Sequence, residues 1–334
     1  MLAEHASSIV LSCRLSGKGQ NMLYEFQLPT RIHYGRKSIE LAADLMRAIG
    51  AHRVLIVTGR SRTASSPALA ALCSNLEATG MRCIRFPEVE ADPSVDTVAR
   101  GASLYRQESC DAIIGFGGGS PIDCAKGIAA SIGEGSPIEH FIGTGRVFAA
   151  PVPPLVAIPT TAGTGTEVTN AAVFTLLDEN GIKRKKGTSG ITLFPRAAIV
   201  DPELHMSMPP NLTAATGMDA LTHAVEAYIS RMHTPMSDMF CLESIRLIGR
   251  SLRTACQHGD DVEARSDMAL AAMYAGVALS QASLGMVHGF AHAAGAMANL
   301  PHGLANAILL PYVMESLISD AGTRLAAIGD ALTG

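Results

Sequence analysis

Two pairs of side chains in the second half of the chain have the types and spacing of metal ligands. Asp219 and His223 are four residues apart, as are His288 and His292, so each pair lies on one face of a predicted helix. His302 follows in a Pro-His-Gly segment that we interpret as a loop. Singly, each histidine is better explained as a satisfied core or surface residue than as a metal ligand. Together, a carboxylate and several imidazoles on apolar faces predict a site for a divalent cation.

A glycine-rich turn in the first half has the composition of a phosphate-binding loop. The segment GFGGGSP (115–121) follows a predicted strand, and its glycines let the backbone approach a phosphate closely. We expect Ser120 to be the N-cap of the next helix and Pro121 its first residue. Ser120 stands where the dinucleotide fingerprint has a third glycine. The turn alone therefore leaves a ligand-free strand-to-helix connection open.

A second polar loop, PTTAGTGTE (159–167), also follows a predicted strand. Apart from Ala162, its residues from Thr160 to Thr166 are threonine or glycine, which suits contacts to a pyrophosphate, a ribose or an amide. A solvated loop with capping threonines is the alternative. Because open α/β sheets bind ligands at the carboxyl ends of their strands, two such loops at neighbouring strand ends favour a cofactor site.

The elements around these loops alternate between strands and helices in the first half and are helical afterwards. We predict strands at 54–58, 83–86, 112–116, 155–158, 172–177 and 197–200, helices at 68–79 and 95–106, and a basic turn at 183–186. Further helices are predicted at 214–229, 236–257, 262–283, 288–298 and 304–318. The fold class is a Rossmann-like open parallel α/β sheet (1–205) followed by an all-helical domain (206–334), with prolines breaking the chain at 202–210.

Composition indicates a globular enzyme, since 48% of the 334 residues are hydrophobic and 17% are charged. The net charge of −4 gives no basic footprint for nucleic acid, and no amphipathic basic segment or long apolar span indicates a membrane. Seven scattered cysteines without a CxxC pair are typical of a reducing compartment. With no recognisable signal peptide, we expect a soluble cytoplasmic protein.

The glycine turn, the threonine loop and the two histidine segments, in this order, resemble the iron-containing (group III) alcohol dehydrogenase family. The matching stretches are GFGGGSPIDCAKGIA (115–129), AIPTTAGTGTEVTN (157–170), ATGMDALTHAVEAY (215–228) and GMVHGFAHAAGAMANLPHGLANAILLP (285–311). The resemblance runs from about Arg31 to the end. Since family members normally continue for some tens of residues, we expect a C-terminal truncation.

This resemblance implies a dehydroquinate synthase-like architecture, a homodimer and a metal-dependent alcohol dehydrogenase or aldehyde reductase that uses NAD or NADP. Its metal ligands fall on Asp219, His223, His288 and His302, with Fe²⁺ favoured and Zn²⁺ also compatible. A Lewis acid there would polarise the oxygen of a small alcohol or aldehyde. His292 matches a residue near substrate and cofactor and is our candidate proton shuttle. The implied cofactor contacts are Gly59, Gly117, Gly118, Gly119, Ser120, Thr160, Thr161, Thr164 and Lys186.

One departure from the family concerns the choice of cofactor. Many NAD-preferring members carry an acidic residue after the first full strand, where this chain has Gly59. A carboxylate at that position binds the ribose 2′-hydroxyl and repels a 2′-phosphate, whereas Arg60 or Arg62 would pair with the phosphate. We therefore expect NADP to be accepted. The alternative is that both arginines face solvent.

Two other functions remain open at this stage. Metal-dependent polyol-phosphate dehydrogenases and lyases of the dehydroquinate synthase type share the architecture, although the PHGLANAILLP stretch (301–311) argues against them. A phosphorylated substrate would also require basic residues near the histidines, and Arg231, Arg246, Arg250 and Arg253 show no convergence there. A non-catalytic, cofactor-binding remnant is the other alternative, because the expected truncation would remove the last helices of the family.

Overall fold

A parallel six-stranded sheet is the framework of the first half of the chain. The computed structural model describes residues 23–60, 63–177, 179–181, 183–298 and 300–334. Within these residues the strands of the sheet are β1 (Arg31–Tyr34), β2 (Arg53–Gly59), β3 (Arg82–Val89), β4 (Ala112–Gly117), β5 (Leu155–Pro159) and β8 (Ala197–Val200). Their order in the sheet is β1-β8-β5-β4-β2-β3. All of their pairings are parallel, as the alternation of strands and helices predicts.

Helices cover both faces of this sheet. They are α1 (Ala42–Ala48), α2 (Pro67–Ala78), α3 (Val95–Gln107) and α4 (Gly119–Gly133). Every residue of β4 is buried, with Ile113 in the cluster that contains residues of α3 and α4 and Ile114 in the cluster that contains residues of α1 and α2. A strand covered on both faces has no polar side, which explains its continuous apolar sequence. Ser66 and Ser94 cap α2 and α3 through their hydroxyl groups.

A hairpin, β6 (Ala171–Leu177) with β7 (Lys183–Ser189), corrects one sequence expectation. The basic segment interpreted as a turn lies in β7, where Phe174 pairs with Lys186 and Leu177 with Lys183. Most β7 side chains are exposed, so the strand lacks the alternating apolar pattern from which strands are predicted. Its backbone pairing with β6 forms the strand instead.

The second half of the described chain is helical. Its helices are α5 (Pro210–Ile229), α6 (Pro235–Gln257), α7 (Val262–Ala282), α8 (Met286–Ala298), α9 (His302–Ser316) and α10 (Ile318–Thr333). Residues of α5, α6 and α7 supply most of one continuous apolar core, which small side chains such as Ala224 and Ala271 allow to pack closely. Within the described residues, no single helix is long and apolar enough to cross a membrane, although α7 and Met286–Gly295, bent by 106°, meet that test as a pair.

Candidate metal centre and cofactor-binding edge

Helix α5 presents the first two predicted metal ligands on one face. Asp219 and His223 are both buried, and the Nε2 atom of His223 lies 3.9 Å from the Oδ1 atom of Asp219. The spacing of four residues brings side chains together on a helix, so this proximity follows directly from the sequence. A face that buries both a carboxylate and an imidazole must be matched by polar or charged groups on the helices packed against it.

The His302 segment differs from the sequence interpretation. His302 is not in a loop but is the first residue of α9, with Pro301 as its N-cap. Gly303 explains how this helix approaches α5, because a Cβ atom there would overlap the carbonyl group of Ala215. The fixed backbone angle of the proline and the missing side chain of the glycine together start α9 directly against the helix that carries Asp219.

Three of the predicted ligands converge on one point. Asp219, His288 and His302 each offer an atom, and these atoms all lie within 4.8 Å of one another. The Nε2 atoms of His288 and His302 are 3.6 Å and 3.5 Å from Oδ1 of Asp219. His223 adjoins this group, since its ring stacks on that of His288 with centroids 4.5 Å apart. The structure thus brings three of the four together and places the fourth beside them.

The contacts of Asn306 show that the ligand atoms of these residues face one shared position. The fully buried amide nitrogen of Asn306 lies 2.7 Å from Oδ1 of Asp219, 3.1 Å from Nε2 of His288 and 3.3 Å from Nε2 of His302. An amide group has two hydrogens and cannot satisfy three acceptors. The acceptors of the three side chains therefore converge on one buried position, which is what a divalent cation requires of its ligands.

The charges of the site also fit a cation. Burial would raise the pKa of Asp219, but the three neighbouring imidazoles hold it well below its usual value, so the group is a carboxylate. Burial lowers the pKa of His223 to about 4. It would also lower that of His288, yet hydrogen bonding to Asp219 and Glu226 outweighs it and raises the pKa to about 9. The two carboxylates thus favour the positively charged form of the His288 imidazole, and the same charges would favour a bound cation.

His292 lies one turn beyond His288 on α8 and is partly exposed. Its ring centroid is 5.2 Å from that of His302 and 6.3 Å from that of His288. Burial, together with the charges of His302 and His288, lowers the pKa of His292 to about 4. At neutral pH the ring is therefore an uncharged imidazole. Its pKa lies well below neutral pH and not close to it, as the sequence analysis had expected.

The glycine turn joins β4 to α4 in a tight connection. Gly117 has φ of +147°, and a Cβ there would lie 2.8 Å from Cγ of Pro121, so this position requires glycine. Helix α4 begins at Gly119 with Gly118 as its N-cap, not with Ser120 as expected, and Pro121 is its third residue. Ser120 is occupied elsewhere, because its Oγ accepts a hydrogen bond from the backbone N–H of Asp92.

The threonine loop lies directly beside the glycine turn. Its Thr160 donates a backbone hydrogen bond of 2.8 Å to the carbonyl of Gly117. A Cβ on Gly118 would lie 3.2 Å from Oγ1 of Thr161, and one on Gly119 would lie 2.7 Å from Cγ2 of Thr164. The absence of side chains at the two glycines therefore allows this close packing. The two predicted cofactor loops form one continuous edge at the carboxyl ends of β4 and β5.

The same loop connects the sheet to the metal cluster. A Cβ on Gly163 would lie 2.8 Å from Cβ of Thr216, one turn before Asp219 on α5. On the other side, the buried ammonium group of Lys126 donates to Oγ1 of Thr166 and to the carbonyls of Thr169 and Ala171. Because the loop is fastened to both α4 and α5, a cofactor bound along it would end close to the histidines.

The remaining predicted cofactor residues lie at the rim. Gly59 ends β2 and faces Pro121, while Arg60 donates to the carbonyl of Glu88 and its guanidinium lies 3.6 Å from Glu90. Arg60 thus has two acceptors within the protein, while 60% of its side chain remains exposed. Arg62 lies outside the described residues. Lys186 is exposed on β7.

Three residues near the cluster were missed by the sequence analysis. They are Asn306, Glu226 and Lys185. Lys185 pairs with Asp92 at 2.6 Å, and its charge contributes to the lowered pKa values of His292 and His302. Asn306 follows His302 by four residues and Glu226 follows His223 by three, so helical spacing was an available signal for both. No comparable pattern marks Lys185, because the register of β7 decides its position.

The chain is similar to known proteins over both halves. The family model of the iron-containing alcohol dehydrogenases matches residues 29–202. The family model of the C-terminal region of the Fe-containing alcohol dehydrogenase family matches residues 213–334. A 1,3-propanediol dehydrogenase of Citrobacter freundii is 38% identical over 87% of this chain and 74% of its own length. An NAD-dependent methanol dehydrogenase of Bacillus methanolicus is 38% identical over 92% of this chain and 79% of its own.

Solved structures agree with these matches. The crystal structure of a 1,3-propanediol oxidoreductase superposes with a TM-score of 0.89 and 36% identity, covering 94% of this chain and 80% of that one. An iron-containing alcohol dehydrogenase from Thermotoga maritima gives a TM-score of 0.84 and 34% identity, with coverages of 93% and 84%. Matches of this extent to both halves show that the chain belongs to the iron-containing alcohol dehydrogenase family.

Proposed function

We propose that the protein transfers a hydride between NAD or NADP and a small alcohol or aldehyde, with a divalent cation at the histidine cluster. The observation that carries this proposal is the convergence of Asp219, His288 and His302 within 4.8 Å, next to the paired glycine and threonine loops. The printed names of relatives support the substrate class, since they include propanediol, methanol and butanol dehydrogenases. A neighbour of 28% identity, a sulfoacetaldehyde reductase, was solved in complex with NAD⁺.

The residues that would hold the cation are Asp219, His223, His288 and His302. A carboxylate with three imidazoles suits Fe²⁺, the ion of the family name, and also Zn²⁺. Lewis-acid polarisation of the alcohol or carbonyl oxygen is the chemistry that such a cation would supply. These ligands lie on three different helices, so their relative positions depend on the packing of α5, α8 and α9.

We assign cofactor binding to the edge formed by the two loops. The free backbone N–H groups at the start of α4 would hold the pyrophosphate beside Gly117, Gly118, Gly119 and Ser120. Thr160, Thr161 and Thr164 would contact the rest of the dinucleotide, with Gly59 and Lys186 at its ribose groups. His292, partly exposed and uncharged beside His302, would accept the alcohol proton and pass it to solvent.

The proposal also covers the domain boundary, the oligomeric state and the cellular location. We place the boundary between the cofactor and metal domains at 205/206, which the end of β8 at Val200 and the start of α5 at Pro210 support. We propose a homodimer, as the resemblance implies. The scattered cysteines without a CxxC pair support a cytoplasmic location.

Metal removal and restoration test this function. The protein would be stripped with a strong chelator, and NAD(P)H oxidation followed with a panel of short aldehydes. We expect activity to disappear with the metal and to return with Fe²⁺ or Zn²⁺, with elemental analysis reporting about one ion per chain. Full activity in the stripped, metal-free protein would rule out the proposed role of the cluster.

A further inference from the structure

A second buried carboxylate stands behind the metal cluster. Glu226 lies on α5, on the face that also carries Asp219 and His223, and only 1% of it is exposed. Its Oε2 atom is 2.6 Å from Nδ1 of His288, the ring nitrogen that points away from Asp219. Neither the proposed ligand set nor the cofactor edge accounts for this carboxylate. A charged group in such a position requires a compensating partner, which His288 supplies.

Glu226 also fixes the start of the helix that carries His288. Its Oε1 accepts a hydrogen bond of 2.6 Å from the backbone N–H of Val287, and its Oε2 one of 3.3 Å from that of His288. These amides belong to the first turn of α8, where N–H groups have no partner within the helix. A Cβ on Gly285 would lie 2.7 Å from Oε1, so glycine leaves the carboxylate room to reach them.

The same contact decides which nitrogen of His288 faces the cluster. Both Glu226 oxygens accept backbone N–H hydrogen bonds at the start of α8, as the two acceptor oxygens of a carboxylate do. An ionised carboxylate only accepts hydrogen bonds, so Nδ1 of His288 must carry a proton. The lone pair of a neutral ring is then on Nε2, which faces Asp219 at 3.6 Å.

We propose that Glu226 is a positioning residue of the metal centre, holding His288 so that its Nε2 lone pair meets the cation. The inference rests on the proposed metal-dependent function. Glu226 acts through α8 as well as through the ring, because one carboxylate both caps the helix and receives the Nδ1 proton. With Asp219 it also gives the centre two carboxylates, whose negative charges would balance a divalent cation.

The decisive variant is Glu226→Gln, which keeps the size of the side chain and removes its charge. Zn²⁺ and Co²⁺ affinities would be measured by competition with a chelator, and the visible spectrum of bound Co²⁺ would report its ligand geometry. We expect the Kd to rise by about 10-fold to 100-fold, as is usual when an outer-shell partner of a metal-bound histidine is lost, with a changed Co²⁺ spectrum. An unchanged Kd and spectrum would overturn the inference.

The control is Asp261→Ala, which removes a helix cap, because asparagine would cap the helix as well as aspartate does. Asp261 caps α7 through the backbone N–H of Ala264 at 2.9 Å and makes no contact with the cluster histidines. This variant should lower the thermal midpoint while leaving the metal Kd unchanged, which separates a lost helix cap from a lost metal partner. An equal loss of metal affinity in both variants would show that Glu226 has only a structural role.

Measuring the tautomer of His288 in the wild-type protein tests the inference even if the Glu226→Gln variant does not fold. In long-range ¹H–¹⁵N spectra of the Zn²⁺-loaded protein, we expect Nδ1 of His288 to keep its proton and Nε2 to bind the metal. A proton on Nε2 would overturn the inference and leave the proposed function standing. A wild-type protein that binds no divalent metal would overturn both, so the two failures are distinguishable.

Discussion

The Nε2 atom of His302 lies 3.5 Å from the Oδ1 atom of Asp219, although the two residues belong to different helices. This approach depends on Gly303, whose missing side chain lets the first turn of α9 reach the backbone of α5 at Ala215. The metal centre is therefore built from helix packing and not from a single sequence motif. Replacing a single ligand therefore tests whether that residue contributes to metal binding.

Replacing His302 with alanine should remove one ligand without removing a core side chain, since His302 is partly exposed. We expect metal affinity to fall by more than about 100-fold, exceeding the usual loss for an outer-shell partner, and turnover to fall with it. Elemental analysis of the purified variant, together with NAD(P)H oxidation, measures both. The control is His258→Ala, which removes an exposed histidine at the end of α6. A fully metallated His302→Ala protein would contradict the assignment.

The contact between Gly119 and Thr164 allows a test of whether the glycine turn and the threonine loop bind the cofactor together. A methyl group on Gly119 would lie 2.7 Å from Cγ2 and 3.2 Å from Oγ1 of Thr164, so Gly119→Ala must displace the side chain of this residue of the threonine loop. We expect the Kd for NAD(P)H, measured by fluorescence titration, to rise by about 10-fold or more, which corresponds to roughly 1.4 kcal/mol.

Thr164→Ser in the same background provides the control. Serine lacks the Cγ2 atom that makes the closest approach, so the double variant should recover part of the lost cofactor affinity. Affinity that stays at the level of the Gly119→Ala single variant would show that the two loops do not act together. Metal content should stay at the wild-type level in both proteins, because neither position contacts the cluster.

The sequence predicted those parts of the fold in which local patterns and tertiary structure agree. The apolar runs of β2, β4 and β5 are strands because both faces of the sheet are covered. Three short or polar elements had no such pattern: β1, α1 and β7. Strand β1, at the sheet edge, has only two half-buried residues between two exposed ones, and β7 depends on pairing with β6. Their formation is a tertiary effect.

The site shows the same division. Helical spacing places Asp219 beside His223, but it does not say that His302 begins a helix or that this helix meets α5. The role of Ser120 also escaped prediction, because its hydroxyl accepts from Asp92, which lies in the loop after β3. Local propensity favoured an N-cap, and a contact from a neighbouring loop prevailed.

A buried histidine outside the metal cluster predicts how stability depends on pH. His205 is fully buried, with its Nε2 3.2 Å from the carbonyl of Pro159, and burial lowers its pKa to about 4. The unfolded chain, with a pKa near 6.5, binds more protons than the folded one between these values. The contribution of His205 is therefore complete above pH 6.5 and is lost as the pH falls towards 4.

His205→Gln isolates this effect, because the amide nitrogen of glutamine reaches about as far as Nε2, can still donate to the carbonyl of Pro159 and does not titrate. On acidification from pH 7 to 5, the wild type should lose about 2 kcal/mol more unfolding free energy than the variant. Urea unfolding at each pH measures the difference. Parallel curves for the two proteins would show that His205 titrates normally in the folded state.

Cofactor choice provides the last test, at Gly59. A Cβ there would lie 3.6 Å from Cγ of Pro121 and 3.7 Å from the carbonyl of Val89, which are ordinary contacts, so a side chain fits. An aspartate would bind the ribose 2′-hydroxyl and repel a 2′-phosphate. Gly59→Asp should therefore lower the ratio of kcat/KM for NADP to that for NAD by about 10-fold or more. Gly59→Asn has nearly the same size without the charge and should change the ratio much less. If wild-type kcat/KM were already about tenfold higher with NAD, the expectation that NADP is accepted would be wrong, because glycine at this position would then have no effect on the choice.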